Sequence, residues 1–196
     1  ATLAFARFLN ATAYAYLPPL AIEHAKMILA STLSSAAMGV TMDSARIQRD
    51  LAVEQGGTAE STVWFVGKKL PAVLAARVNA AASDAAASDD SDLRNIAHFG
   101  TTLTAAGLAL GERTHATGRD LLLAMVIGYE AGGRIGDARA GGRLGMHASQ
   151  LVAFASAAVS AKLLQLVDER MAHALGLVAT TVGGLLVGTN SWAREY

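Results

Sequence analysis

The chain has 196 residues, a formal net charge of zero, 16% charged side chains and no cysteine. Its length fits one domain, or two small ones at most. Because the net charge is zero, no long-range field draws the protein to nucleic acid or to an anionic membrane. The absence of cysteine excludes disulfides, thiolate catalysis and cysteine-ligated metal sites, and it fits the reducing cytoplasm, where we expect the protein to work.

Hydrophobic residues make up 53% of the chain, while the charged fraction lies well below the roughly 25% of an ordinary soluble domain. A chain of this kind can bury a large core. Apolar surface beyond that core needs another subunit or chain segment to cover it. We therefore expect a homo-oligomer, or a second chain that completes the molecule.

Hydrophobic periodicity and capping signals predict helices along almost the whole chain. The predicted helices cover residues 4–15, 18–39, 43–55, 72–87, 101–112, 121–138, 148–166 and 168–187. The only clear β-like run is 61–66, which a Gly-Lys-Lys turn ends. Because the sequence shows neither strand–helix alternation nor an internal repeat, the expected fold class is all-α, a helical bundle.

One apolar run is long enough to raise the question of a membrane span. Residues 171–193 contain no Asp, Glu, Lys or Arg, which meets the length requirement for a spanning helix. The run also contains His173, several glycines and Asn190, and a charged helix precedes it. A buried helix of the bundle accounts for it better, so we expect no membrane partner.

Polar side chains collect where an alanine-rich helix breaks at Ser88. The next ten residues hold three aspartates, an arginine, an asparagine and a histidine, namely Asp89, Asp90, Asp92, Arg94, Asn95 and His98. Clustered carboxylates can bind metal, act as acid–base groups or hold basic partners in place. The alternative is an ordinary solvated loop, which is the commoner role of acidic clusters at helix ends.

Two histidines, His98 and His147, each precede a predicted helix. The positive end of a helix dipole favours the neutral imidazole, which can act as a base. A single histidine in such a place is more often structural. Two of them in comparable settings, one beside the acidic cluster, indicate a small-molecule site.

Several common catalytic and metal-binding motifs are missing. The acidic cluster lacks the glycine and glutamate of an EF-hand loop, and no histidine lies in a HExxH pattern. The glycine-rich stretches 131–136 and 140–145 follow no strand, so they do not predict a nucleotide site. No Gly-x-Ser-x-Gly elbow is present. The sequence therefore predicts no metal site and no serine hydrolase.

Four longer motifs, taken together, resemble the MmgE/PrpD family, whose members include 2-methylcitrate dehydratase, cis-aconitate decarboxylase and iminodisuccinate epimerase. They are TVWFVGKKLPAVLAARVNAAASDA (62–85), GRDLLLAMVIGYEAGGRIG (118–136), GMHAS (145–149) and AKLLQLVDERMAHALGLVAT (161–180). The resemblance implies a large helical domain with a smaller α+β lid, usually in a homodimer, and no required redox cofactor. We expect residues 1–196 to form the N-terminal part of that helical domain, with the lid absent from this chain.

The resemblance also implies which residues form the site. Asp89 and Asp90 match the paired aspartates of the family's active loop, and His98 and His147 match its two histidines. These four would be catalytic, with one histidine as general base, the other as acid, and the aspartates orienting them or a substrate hydroxyl. One acid of the family pattern is missing, because Ala87 stands in its place.

Three further residues are expected to bind substrate. Ser91 replaces a threonine and keeps its hydroxyl, while Arg194 replaces a lysine and keeps its charge. Arg143, in the glycine-rich loop, is a second candidate for gripping a carboxylate.

The family's chemistry implies a lyase of the dehydratase type, which removes a proton α to a carboxylate of a small di- or tricarboxylic acid. One alternative is an epimerase or isomerase in the same scaffold, which needs two opposed bases and no leaving group. Another is a non-catalytic helical subunit or fragment that stabilises a partner carrying the site.

Overall fold

The computed structural model describes residues 1–138 and 149–183, most of which are helical. Within these ranges lie eight α-helices: α1 (Thr2–Ala11), α2 (Pro19–Gly39), α3 (Asp43–Gln55), α4 (Ala72–Ala85), α5 (Phe99–Thr114), α6 (Gly118–Ala138), α7 (Ser149–Leu163) and α8 (Asp168–Thr181). A 3₁₀ turn spans Tyr14–Tyr16, and two short strands form a hairpin. The predicted all-α fold class is confirmed.

Local sequence accounts for most of the helix starts. Pro19 occupies the first turn of α2, where its missing N–H costs no hydrogen bond. Thr117 and Asp120 cap α6 reciprocally: the Thr117 N–H donates to Asp120 Oδ2 at 2.9 Å, and the Asp120 N–H donates to Thr117 Oγ1 at 3.2 Å. Helix α3 stops at Gly56, whose φ of +64° suits glycine.

Two helices end earlier than their alanine-rich sequences predicted. Helix α4 ends at Ala85 and α7 at Leu163, whereas the predictions ran to 87 and 166. In each case a non-glycine residue in the left-handed region follows, Ala87 with φ +47° and Gln165 with φ +52°. Such a residue closes a helix by returning backbone hydrogen bonds to its last turn.

Three other boundaries differ from the predictions. Helix α1 ends at Ala11, because residues 14–16 form a separate 3₁₀ turn. Helix α5 begins at Phe99, two residues early, because a carboxylate from the preceding loop caps it. Helix α8 was predicted to reach 187 and ends at Thr181, while residues beyond 183 lie outside the described part of the chain.

The β-like run 61–66 is only partly a strand. Strand β1 (Ser61–Val63) pairs antiparallel with β2 (Lys68–Leu70), and Ser61 lies opposite Leu70. The hairpin is fixed to α5 by Glu112, whose carboxylate accepts hydrogen bonds from Thr62 and Lys69. The run therefore turns after Val63 and does not continue as a longer strand.

Helices α5, α6 and α7 form the centre of the bundle, and their contacts fix its directions. Helix α5 runs parallel to α7 and antiparallel to α6, as two successive contact layers show: Phe99, Gly132 and Ala155, then Leu103, Gly128 and Val159. A Cβ at Gly128 or Gly132 would overlap neighbouring side chains, so both glycines permit close helix packing. The start of α5, the end of α6 and the start of α7 therefore lie at one end of the bundle.

None of the helices in the described ranges is long and apolar enough to cross a membrane. Large apolar side chains are nevertheless exposed on α2, where Leu20 is 65% exposed, Met27 65% and Met38 60%.

Candidate functional site

The loop between α4 and α5 is a closed backbone turn organised by Asp92. The Asp92 N–H donates a hydrogen bond to the Ala97 carbonyl at 2.9 Å, and the Ile96 N–H donates one to the Asp92 carbonyl at 2.7 Å. The Asp92 carboxylate is only 4% exposed and accepts hydrogen bonds from the Arg94 N–H at 2.8 Å and the Arg94 guanidinium at 3.0 Å. Burial raises the pKa of Asp92, but the hydrogen bonds and charge of Arg94 outweigh it, so the pKa lies below its usual range.

The same loop is anchored to the end of α6. Arg94 forms an ion pair with Asp137 at 3.1 Å, and the Asn95 side-chain amide donates to the Gly133 carbonyl at 3.4 Å. A Cβ at Gly136 would overlap the Asn95 amide. The loop can therefore pack against this end of α6 only because residue 136 is glycine. Asp92, Arg94 and Asn95 therefore have structural roles, which leaves Asp89 and Asp90 for chemistry.

The Asp90 carboxylate caps α5 from ten residues upstream. It accepts the Gly100 N–H at 2.7 Å and the Tyr129 hydroxyl at 3.3 Å. A Cβ at Gly100 would overlap this carboxylate, so the close approach depends on glycine. Burial, with help from the nearby Asp89 charge, raises the pKa of Asp90 above its usual value, although the Gly100 and Tyr129 hydrogen bonds and His98 act in the opposite direction.

The Asp89 side chain is only 3% exposed. One carboxylate oxygen accepts the Thr101 hydroxyl at 2.8 Å, and the other lies 3.4 Å from Nδ1 of His98. The Ser83 hydroxyl donates in turn to Thr101 at 3.2 Å, which ties the carboxylate to α4. Asp89 is therefore held rigidly behind the histidine and is not a solvated loop side chain.

His98 has its tautomer fixed by these neighbours. Its Nδ1 lies 2.8 Å from the Asp90 backbone carbonyl, which can only accept a hydrogen bond. Nδ1 must therefore carry the proton, and in the neutral ring Nε2 keeps a free lone pair. The His98 side chain is 45% exposed, so this lone pair is accessible to a ligand.

The structure places three of the predicted site residues, Asp89, Asp90 and His98, next to one another. Ser91 lies exposed on the same loop. The remaining predicted site residues, Arg143, His147 and Arg194, lie outside the described residues. The helix ends that flank 139–148 are described, however, and both lie at the end of the bundle that carries His98.

Three residues of this site were missed at the sequence level: Gly100, Thr101 and Tyr129. Thr101 lies in the first turn of α5, and no motif in the sequence marks it as a site residue. Tyr129 lies 39 positions from Asp90, and no local pattern joins them. Among the residues that the structure describes, no group of three His, Cys, Asp or Glu side chains is arranged to hold a metal ion.

Comparison with known proteins identifies the family to which the chain belongs. The model of the MmgE/PrpD N-terminal domain matches residues 3–193. The chain belongs to the MmgE/PrpD family. The loop with the Asp89–Asp90 pair and His98 thus occupies an MmgE/PrpD helical domain, as the sequence motifs suggested.

Two curated relatives that the chain matches come from Aspergillus species. A cis-aconitate decarboxylase of Aspergillus terreus is 30% identical over 181 residues, which cover 87% of this chain and 36% of the relative. A cis-aconitate decarboxylase-like protein of Aspergillus oryzae is 39% identical over 74 residues, covering 36% of this chain and 15% of the relative. The chain thus spans about a third of the length of the Aspergillus terreus relative.

Proposed function

We propose that this chain supplies the proton-transfer part of a lyase that acts on a small di- or tricarboxylic acid. The family membership and the relatives named as cis-aconitate decarboxylases support a lyase. The single observation that carries the proposal is the fixed tautomer of His98, with Nδ1 on the Asp90 carbonyl and Nε2 free.

In the proposed reaction, His98 Nε2 removes a proton from the carbon α to a substrate carboxylate. The imidazolium that forms is stabilised by the buried Asp89 carboxylate 3.4 Å from Nδ1. A carboxylate in this position also keeps the ring in the productive orientation, as in other histidine–carboxylate pairs. Loss of hydroxide from the neighbouring carbon, with a proton delivered by a second acid, then gives the unsaturated acid and water.

Three of the remaining parts of the proposed site lie outside the described residues, whereas Ser91 lies within them. We assign the second acid to His147 and the carboxylate grip to Arg143 and Arg194, while exposed Ser91 would donate a hydrogen bond to substrate. These cations are needed, because the aspartates beside His98 that lack an arginine partner would otherwise repel a polyanion. Arg94 already neutralises Asp92, so the repulsion comes from Asp89 and Asp90.

Loss of CO2 is a second candidate reaction at the same site. The observation in its favour is the similarity to the Aspergillus terreus relative, which is named as a cis-aconitate decarboxylase. Against it stands Ala87, where the resemblance expects an acid. Decarboxylation would use the histidines to protonate the carbon that loses CO2, so His98 would act as an acid instead of a base.

The proposal can be tested with a panel of di- and tricarboxylic acids, including cis-aconitate and hydroxy-acids such as 2-methylcitrate. Products are followed by NMR in H2O and in D2O. We expect loss of water or CO2 from one of them, and His98→Gln should lower the turnover roughly 100-fold or more. The matched control is His173→Gln, which removes an exposed imidazole on α8.

Two outcomes would contradict the lyase. Full turnover by His98→Gln would remove His98 from the chemistry. Deuterium entering recovered substrate, with no product of different mass, would instead favour the epimerase.

A further inference from the structure

Tyr129 lies on α6 and is in direct contact with the candidate site, yet the proposed reaction gives it no role. Its hydroxyl donates to Asp90 Oδ2 at 3.3 Å. Its ring packs edge-on against Phe99, with 5.0 Å between ring centroids. Phe99 begins α5, directly after His98. One side chain therefore contacts both Asp90 and Phe99, the first residue of α5 and the neighbour of His98.

We propose that Tyr129 is a positioning residue that keeps the Asp90 carboxylate ionised and in place beside His98. This inference goes beyond the proposed function, and it rests on that function only where it concerns turnover. Tyr129 touches neither the reacting atoms nor His98 in the proposed reaction, so it acts through Asp90.

The argument begins with the donors that Asp90 has. Oδ1 is held by the Gly100 N–H at 2.7 Å, and Oδ2 by the Tyr129 hydroxyl at 3.3 Å. Neither donor is a cation, and Asp89 carries a second negative charge next to it. The Gly100 N–H belongs to the backbone, whereas the Tyr129 hydroxyl is the side-chain donor that a substitution can remove. Its loss would leave Oδ2 half-buried without that partner, which penalises the charged form.

The phenol itself stays protonated and able to donate. Burial, together with the Asp90 and Asp92 charges, raises the pKa of Tyr129 well above its ordinary value. Other charged or titratable groups face this pair from every neighbouring element: Asp89, Arg94 and His98 on the loop, Glu130 on α6 and His24 on α2. Any titration must therefore be assigned to one residue, not read from a bulk signal.

The Tyr129→Phe variant should fold. The ring contact with Phe99 needs no hydroxyl, and Tyr129 also borders a cavity of about 300 Å³ between α2 and α6, lined mainly by apolar side chains such as Ile28 and Met125. Tyr129→Phe therefore removes one hydrogen bond and keeps the packing. Tyr16→Phe is the matched control, because Tyr16 is 78% exposed.

The test is an NMR titration of the full chain labelled with ¹³C at the aspartate carboxyl carbons. We expect the Asp90 midpoint to move to higher pH in Tyr129→Phe and to stay in place in Tyr16→Phe. An Asp90 midpoint that is the same in Tyr129→Phe and wild type would overturn the proposal. So would an equal movement in both variants.

A second measurement needs no substitution, so it decides the matter if Tyr129→Phe does not fold. With ¹³C at the tyrosine ζ carbons of the wild-type chain, the Tyr129 signal should shift with the Asp90 midpoint, because its donor bond weakens when Asp90 is protonated. A Tyr129 chemical shift that stays constant while Asp90 titrates would contradict the proposal.

Turnover of the polycarboxylate panel separates this inference from the proposed function. If the Asp90 midpoint moves in Tyr129→Phe but wild type turns over none of the panel acids, the result supports the positioning role of Tyr129 and contradicts the proposed lyase activity. If wild type is active, the acid limb of kcat/KM against pH should move upward in Tyr129→Phe with the Asp90 midpoint.

Discussion

The two ends of helix α5 are each fixed by an acidic side chain, and the two carboxylates have opposite surroundings. Near the carboxyl end, Glu112 accepts the Thr62 N–H at 3.1 Å, the Thr62 hydroxyl at 2.8 Å and the Lys69 ammonium at 3.0 Å. At the amino end, Asp90 accepts hydrogen bonds from the Gly100 amide and the Tyr129 phenol. Within residues 1–138 and 149–183, Glu112 therefore has a cationic partner and Asp90 has none.

The difference appears in the direction of the two pKa shifts. Burial acts to raise the pKa of both groups, but at Glu112 the Lys69 and Thr62 hydrogen bonds outweigh it and the pKa is lowered. At Asp90 burial prevails, and the pKa is raised. A carboxylate paired with a cation holds elements together, whereas one that is desolvated without a cation is the kind found at functional sites.

The largest effect should come from Asp89→Asn in the turnover assay with the polycarboxylate that wild type converts. Without its charge, residue 89 no longer stabilises the imidazolium of His98, and we expect kcat to fall roughly 100-fold. At the other end of α5, Glu112→Gln should leave kcat unchanged. Equal losses in both variants would remove the functional distinction between the two ends.

The next largest effect concerns stability, in Asp92→Ala. This carboxylate is 4% exposed and accepts the backbone N–H groups of Arg94 and Asn95 as well as the Arg94 side chain. Its loss leaves these donors without that acceptor, so the free energy of unfolding should fall by about 2–3 kcal/mol. Urea unfolding measures it, and a loss below about 0.5 kcal/mol would show that the loop is not held by Asp92.

The two ends of α5 also show which features of such a site can be predicted from sequence. Helix positions followed from periodicity, because one face of each helix is apolar. The polar cluster after α4 was found because charge is rare in this chain, and the family resemblance selected Asp89, Asp90 and His98 within it. The charge pattern alone did not separate Asp92 from its neighbours, whereas the family resemblance did, because it matched only Asp89 and Asp90. Three aspartates within four residues look alike until burial and Arg94 show that one of them is structural.

What sequence missed are contacts between distant segments. Thr101 donates to Asp89 across 12 positions and Tyr129 to Asp90 across 39. The first bond depends on how the loop folds back onto α5, and the second on how α6 packs beside that loop. Helix ends were missed for a related reason, since left-handed Ala87 and Gln165 are not residues that favour that conformation. Tertiary contacts, not local preference, decide such positions.

A smaller effect is expected from Glu112→Gln on stability. The amide keeps the size of the side chain but loses the charge that attracts Lys69, so the free energy of unfolding should fall by about 1 kcal/mol. The matched control is Glu23→Gln, which breaks an exposed pair with Lys26 and should change stability by less than about 0.5 kcal/mol. A Glu112→Gln loss no larger than the control would mean that the hairpin does not depend on this carboxylate.

The most subtle effect is the pH dependence of stability, which should have opposite signs at the two ends of α5. Glu112 has a lowered pKa in the folded state, so its contribution is present above the unfolded pKa of about 4.3 and is lost as pH falls through the folded value. Asp90 has a raised pKa, so its contribution is greatest below the unfolded pKa of about 3.9 and is lost as pH rises through the folded value. Urea unfolding of wild type, Glu112→Gln and Asp90→Asn between about pH 3 and 7 measures both.

Relative to Glu112→Gln, wild type should gain stability as pH rises. Relative to Asp90→Asn, wild type should lose stability as pH rises, because ionising a buried carboxylate without a cation costs free energy. Two differences with the same slope would mean that Asp90 is paired as effectively as Glu112. In that event the low-pH behaviour of the site would have to come from another group, and the contrast between the two ends of α5 would lie in their position and not in their charge.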